Sequence, residues 1–471
     1  MRKKNLFKDL SASTIQTGIT QLAGLIIFYL MSRYINKEEF GAYGWATAVG
    51  ITIISIGSLG LDLVLVKRIA AGQDARLMAS IHFFHTLLLT IVLLPILLIV
   101  QYNFPSFINY HPIFILVVIQ LSLTNIANSF KFSLSGLAAF KQLAIISGGF
   151  NFFKLALIIA LLFAKLFSIK NIVVGLIVSA LIEIILSYAY ISLHLKTKLK
   201  PIYHHSAYKG FIKEALPQLA IVIFDSALAR FDWILLGLLS TTTITAEYSF
   251  AFRFFELMKM PLIIIAPILF TRFSKLLQEG AIITEDTKKS IQQFYNLELF
   301  ISLIIPLMMV CAWSQSIDLI TDNKYGAVNE LTFSILALCI PLQFVINFYW
   351  TQGVVQGQLK SIMVIIIGTS ILNIAGNLVL IPYWGSKGAA IAYLMSSLAQ
   401  AYLYHRLIKQ DRMKIHSKQL YFFILNAVLA ILTARYFCTN TYIAAAVACL
   451  FYIIIAIVSK QINIKMIKQI I

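Results

Sequence analysis

The chain has 471 residues, 60% hydrophobic and 12% charged, with a mean hydropathy of +0.86 and a formal net charge of +19. No soluble domain needs so much apolar residue, so the composition describes an all-α polytopic membrane protein. The positive charge would suggest nucleic acid in a soluble protein; here the basic residues sit mostly in short connections, which removes nucleic acid as a partner.

The N-terminal MRKKNLFKDLSAST is basic, and the apolar run behind it continues to Met31 without a small-residue cleavage site. It reads as a cytoplasmic lead into a retained first helix. Apolar runs then mark about fourteen spans: 11–32, 41–66, 80–101, 112–131, 143–164, 171–194, 214–239, 246–270, 291–313, 331–353, 361–381, 387–408, 420–437 and 441–459. An even count puts both termini on one side. The connections on that side hold 27 Lys and Arg, against seven on the other: Arg33, Lys37, Lys165, Lys170, Lys324, Lys387 and Arg435. The positive-inside rule therefore places both termini in the cytoplasm.

Two halves repeat. Leu6-Phe7-Lys8-Asp9 before the first span parallels Phe211-Ile212-Lys213-Glu214 before the seventh, and the same offset aligns Tyr43 with Tyr248. SIKNIVVGLIVSA of the sixth span matches GSKGAAIAYLMSS of the twelfth. Six spans between equivalent points preserve orientation, so the repeat is parallel. The expected organisation is a six-helix lobe over 1–200, a second over 201–410, and an extra C-terminal transmembrane helix pair over 411–471. The linker LKTKLK offers an inner-leaflet lipid contact. Prolines concentrate at spans seven to ten (Pro217, Pro261, Pro267, Pro306, Pro341), which marks these as the bending helices.

Several chemistries are missing from the sequence. There is no GxxxxGK[ST] phosphate loop, no HExxH and no GxSxG. Cys311, Cys339, Cys438 and Cys449 are scattered and suggest neither a metal site nor a disulfide framework. His82 and His85 share a helix face but lack a third ligand, and read as interfacial hydrogen-bonding groups. No catalytic residue, metal or cofactor is expected, and no connection is large enough to carry enzyme chemistry.

What stands out is charge inside the apolar spans, densest over 211–274. A charge at the centre of a membrane helix costs roughly 2.5–3.5 kcal/mol on insertion scales. Lys154 and Glu183 fall near the middle of spans five and six. Arg230 lies roughly 14 Å from the outer end of span seven at 1.5 Å per residue. Asp225 and Asp232 share a face of that span, and Arg253 can pair with Glu256 at i, i+3 in span eight. The set offers cations for an anionic substrate and carboxylates for a coupling ion.

The run ARFDWILLGLLSTTTITAEYSFAFRFFEL places Arg230, Asp232, Gly237, Tyr248, Ser249, Ala251 and Arg253 as in polysaccharide exporters. APILFTRFSKL, GSKGAAIAYLMSS and GSLGLDLVLVKRIA add to the likeness. The chain resembles the Wzx-type O-antigen flippases of the MATE-like exporter superfamily. That resemblance implies two six-helix lobes around a central cavity, in a bacterial inner membrane. It implies an undecaprenyl-diphosphate-linked oligosaccharide as substrate, moved by alternating access among membrane lipids, with a polysaccharide polymerase and chain-length machinery as partners. Lys154, Arg230 and Arg253, with Arg33 and Arg272 near opposite mouths, are the candidate substrate-binding residues; Asp225, Asp232, Glu183 and Glu256 are the ion-coupling candidates. The alternative is an ion-coupled multidrug or small-molecule exporter of the same fold, whose cavity for cationic drugs should be mainly acidic.

Overall fold

The computed structural model describes residues 3–103, 113–196, 198–276, 285–408 and 418–462. All regular secondary structure among them is α-helical. In chain order the helices are α1 (Lys3–Tyr34), α2 (Lys37–Gly57), α3 (Leu61–Ala70), α4 (Ala75–Asn103), α5 (Phe114–Gly136), α6 (Phe140–Phe163), α7 (Ile169–His194) and α8 (His205–Leu239). They continue with α9 (Thr242–Met258), α10 (Met260–Leu276), α11 (Glu285–Thr321), α12 (Gly326–Val355), α13 (Leu359–Ile408), α14 (Lys418–Phe437) and α15 (Thr441–Val458).

Ten of the described helices are long and apolar enough to cross a membrane, and the chain is a multi-pass membrane protein. The expected fourteen spans are thus not all recovered by length and apolarity. Two expected spans are interrupted. The second splits into α2 and α3, because Leu59 and Gly60 take left-handed backbone (φ 55° and 75°). Gly60 accepts that conformation without Cβ strain. The eighth splits into α9 and α10 at Lys259, two residues before Pro261, which lacks the N–H that would continue the ladder. The eleventh and twelfth spans, both within α13, are two helical stretches that meet at Gly385, whose backbone is non-helical (φ 53°, ψ −127°), between their expected limits at 381 and 387.

Helix starts are built from side chains that satisfy otherwise orphaned N–H groups. Asn36 accepts from the Glu39 amide at 2.8 Å, and Ser168, Thr241 and Asn440 cap α7, α9 and α15 in the same way.

The chain divides into two compact units, Met1–Gly237 and Leu238–Ile471. In the first, α5 is the central helix, packed against α2, α3, α4, α6 and α7. Its Val117, Val118, Ala127, Phe130 and Leu134 are essentially inaccessible. α8 contributes Phe211 and Ala215 to a core with Leu61, Val64, Leu65 and Ile81. The seventh expected span therefore packs with the first unit as far as Gly237. In the second unit α12 is central, packed on α9, α10, α11 and α13. α5 and α12 correspond to spans four and ten, six apart, so equivalent positions in the sequence repeat supply the hub of each unit. The terminal pair α14 and α15 docks on α11. There Tyr452 stacks on Phe300 (5.3 Å, 7°), and the Asn426 amide donates to the Tyr452 carbonyl at 3.1 Å.

The start of α12 is the tightest corner of the second unit. Asp318 accepts from the amides of Gly326 (2.7 Å) and Ala327 (2.9 Å), while the Trp313 indole donates to the Gly326 carbonyl at 3.0 Å. Trp313 also stacks on Phe333 with centroids 3.7 Å apart. A Cβ on Gly326 would overlap the Ser314 carbonyl oxygen and the Asp318 carboxyl. Backbone cannot yield there cheaply, so Gly326→Ala should cost about 1–3 kcal/mol, in the range of core overpacking. Thermal unfolding of the purified protein in detergent checks this: the variant should melt several degrees lower, and an unchanged midpoint would contradict the corner's role.

Candidate functional site

The structure gathers charged and polar side chains at three places. The first is in the middle of the first unit. Glu183 of α7 is 2% exposed and meets two lysines: Lys131 Nζ of α5 at 2.7 Å from Oε1 and Lys154 Nζ of α6 at 3.1 Å from Oε2. Three helices thus converge on one carboxylate. A lone buried carboxylate would be very costly; with each oxygen accepting from an ammonium, the cluster is satisfied and carries one net positive charge. Lys154 and Glu183, expected as a substrate ligand and an ion-coupling group, are brought together as partners. Lys131 was counted from sequence as a loop residue; it lies inside α5, whose last residue is Gly136.

The second place is the break between α2 and α3. A cavity of about 280 Å³ opens there. α5 lines one wall with Thr124, Asn125 and Asn128, a single helix face, and Ser55, Ser58 and Asp62 line the wall opposite. Asp62 Oδ1 lies 2.9 Å from His82 Nε2, and His82 Nδ1 lies 2.8 Å from Ser129 Oγ. Ser129 is thus the hydrogen-bond partner of the His82 ring, and the Asp62 carboxylate lies beside the ring's other nitrogen. His85 donates from Nε2 to the Gly57 carbonyl (3.0 Å), one of the carbonyls freed where α2 stops, and its Nδ1 meets the Tyr208 hydroxyl at 2.9 Å. Both histidines form hydrogen bonds as expected, and both are buried in the protein, at 1% and 6% exposure. Below the break, Lys67 and Arg68 both hold Glu214 at 2.8 Å.

The third place is in the second unit. Arg253 donates to Glu256 at 3.0 Å across one helical turn, as the i, i+3 spacing suggested. Lys259 lies over the Phe255 ring at 4.6 Å. Nearby in sequence, but in the first unit, Arg230 lies 5.1 Å from the Trp233 ring centroid, and the buried Asp232 carboxylate accepts from the Trp233 amide at 3.0 Å. Arg33 donates to the Tyr29 hydroxyl at 2.9 Å. The Asp225 and Arg272 side chains lie outside the described residues. Sequence reasoning passed over Asp62, Asn125, Asn128, Lys131 and Glu298. Glu298 is 2% exposed, and neither of its carboxylate oxygens has a hydrogen-bond partner among the described residues.

A family model described as polysaccharide biosynthesis protein matches residues 6–277. The chain belongs to that family. No curated protein matches the chain by sequence. Among solved structures, the lipid II flippase MurJ in an inward closed conformation is similar, with a TM-score of 0.74 at 13% identity over 95% of this chain and 98% of that one. An inward-facing multidrug resistance MATE family transporter of the MOP superfamily gives 0.66 at 14% identity, covering 85% and 97%. A variant of the Vibrio cholerae MATE transporter VcmN gives 0.53 at 14%, covering 86% and 99%. At such identities the likeness is one of fold, and it is the MATE-like fold that the motifs implied. The matched region holds the Glu183 cluster, the cavity at the break, and the Arg230 and Arg253 motif of this polysaccharide biosynthesis family member.

The Glu183 cluster has a clear energetic signature. Removing the carboxylate alone, as in Glu183→Leu, leaves two ammonium groups in an apolar setting, at a cost of about 3–5 kcal/mol. Lys154→Met should be milder, because Lys131 still pairs with Glu183. Folded protein recovered from membranes is the readout. The Glu183→Leu variant should be lost, and the Lys131→Met, Glu183→Leu, Lys154→Met triple variant should recover it. Equal recovery of Glu183→Leu and wild type would show that the cluster carries no structural weight.

Proposed function

We propose that this protein is a flippase for an undecaprenyl-diphosphate-linked oligosaccharide, an O-antigen or capsule repeat unit, in a bacterial inner membrane. The observation that carries the reading is the polysaccharide biosynthesis family match across the part of the chain that holds a net-cationic cluster among apolar helices. Sugars and a diphosphate are very costly to place in roughly 30 Å of hydrocarbon. A polar cavity open to each side in turn removes that cost, while the lipid tail stays in the bilayer. Arg suits a diphosphate because its planar fork offers several donors. Arg230 and Arg253 are the proposed principal ligands, supported by Lys154, Arg33 and Arg272; Asp225, Asp232, Glu183 and Glu256 are the proposed ion-coupling groups. The membrane potential supplies about 2.3 kcal/mol per charge per 100 mV for such coupling. A polymerase and chain-length machinery would receive the product. The MATE-like fold also suits an ion-coupled small-molecule exporter, but embedded Arg and Lys disfavour cationic drugs.

Deleting the protein from its host should leave undecaprenyl-linked repeat units accumulated on the cytoplasmic leaflet; unchanged lipid-linked sugars would overturn the flippase reading. Both termini are placed in the cytoplasm. Lys3→Cys and Lys468→Cys in a cysteine-free background should resist an impermeant thiol reagent applied to intact cells, and labelling of either would reverse that topology.

Arg253 separates a structural from a binding role. If its pairing with Glu256 were its whole function, Arg253→Lys would preserve export and removing both partners would be mild. As a diphosphate ligand, Arg253→Lys should impair export because the fork is lost, and Arg253→Ala should abolish it at normal protein level. Surface-polysaccharide output per membrane protein decides. Full output from the Arg253→Ala, Glu256→Ala double variant would remove Arg253 from the binding set.

A further inference from the structure

We propose that the cavity at the α2–α3 break is a subsite for one uncharged sugar ring of the lipid-linked oligosaccharide, gripped by Asp62, Asn125 and Asn128, with His82 positioning Asp62. The proposal rests on the flippase reading and adds to it which part of the head group sits where.

Volume sets the scale. About 280 Å³ is at the low end of ligand pockets, which run roughly 300–1,000 Å³. It suits one ring, not a whole repeat unit. Charge sets the class. Among the described residues, no Lys or Arg lines the cavity. The basic residues nearest in sequence to Asp62, Lys67 and Arg68, are both tied to Glu214. A diphosphate or an acidic sugar would meet the Asp62 carboxylate with no lining cation to offset the repulsion, whereas sugar hydroxyls need what the wall offers. A carboxylate accepts, an amide both donates and accepts, and a hydroxyl does either.

Two features show a built site. Asn125 is 8% exposed and lines the cavity, yet its amide nitrogen has no hydrogen-bond partner among the described residues. A buried donor left unmade is costly, and a turn of the amide toward the cavity would let a ligand acceptor satisfy it. Asp62, in turn, is held from behind. His82, 1% exposed, reaches Oδ1, and Ser129 fixes the other ring nitrogen. The carboxylate thus has the His82 ring beside it before any ligand arrives. Ile51, Ile54 and Phe132 provide an apolar surface for the ring's C–H faces.

The test uses the purified full chain in liposomes and three probes: undecaprenyl diphosphate carrying one neutral N-acetylhexosamine, the same lipid carrying one hexuronic acid, and the lipid with no sugar. Wild type should move the neutral-sugar probe with the lowest half-saturating concentration. Asn125→Leu and Asn128→Leu should each raise that concentration at least ten-fold while leaving the sugar-free probe within two-fold. Asp62→Asn should narrow the preference for neutral over uronic sugar several-fold, a change of selectivity that a merely structural role would not produce. His82→Ala should match Asp62→Asn in direction and His82→Gln, which can still donate to the carboxylate, should restore the preference in part. Asparagine variants that shift all three probes equally, or none, overturn the subsite while the flippase reading stands. Wild type that moves no probe overturns both.

Discussion

A polar group inside the membrane has to be answered largely within the chain, because the hydrocarbon around it answers nothing. Glu183 shows the constraint at its strictest. One carboxylate at 2% exposure is met from two other helices by Lys131 and Lys154, and α5, α6 and α7 are locked together by the requirement that neither oxygen be left alone. The same rule explains the smaller devices. Freed carbonyls at the end of α2 are taken up in part by His85, the start of α12 is bonded by Asp318, and the terminal pair is tied to its neighbours through Asn426 and Tyr452. Packing without a hydrophobic driving force between helices makes such bonds a larger share of what defines the arrangement.

On the proposed function, that constraint bears on which embedded charges could meet substrate. A cation committed to a buried carboxylate is expensive to release, so Lys154 is a weaker ligand candidate than its central position suggested. Arg253 shares its carboxylate over a single helical turn with both groups about a quarter exposed. It can therefore keep its partner and still present donors. Arg230 lies over the Trp233 ring, 5.1 Å from its centroid. On the proposed function, the two arginines suit the diphosphate, and the Glu183 cluster adds a structural role to the ion coupling proposed for its carboxylate.

What was legible in the sequence follows the range of the interaction. The spans were legible because apolar run length is local: the sixth was expected at 171–194 and forms Ile169–His194. The Arg253–Glu256 pair was legible because i, i+3 spacing fixes it. The Glu183 cluster was not, since its members come from three helices and each looked like an isolated charge. Lys131 was misplaced into a loop because a lysine near a helix end looks the same whether it snorkels outward or reaches inward. The break at 58–60 was hidden by apolar residues on both sides of it, Ile56 before and Leu61 after. Gly60 carried the signal, but a glycine in an apolar run more often marks close packing than a left-handed turn.

Losing that break meant losing the cavity, and the physical reason links backbone to chemistry. A continuous helix satisfies its own N–H and C=O groups and would put Asp62 a little over one turn beyond Ser58 on a regular surface. The interruption redirects the chain, and Asp62 and Ser58 border the cavity beside it, with the Asp62 carboxylate 2.9 Å from His82 of α4. Irregular backbone in a membrane protein is tolerated where it is covered by protein or borders a polar cavity; here it does both. His85 covers the loose end of α2, and the hydroxyl, amide and carboxylate groups around the break border the cavity. The charged pairs hold helices together, and the neutral polar face of α5 borders the cavity together with the Asp62 carboxylate.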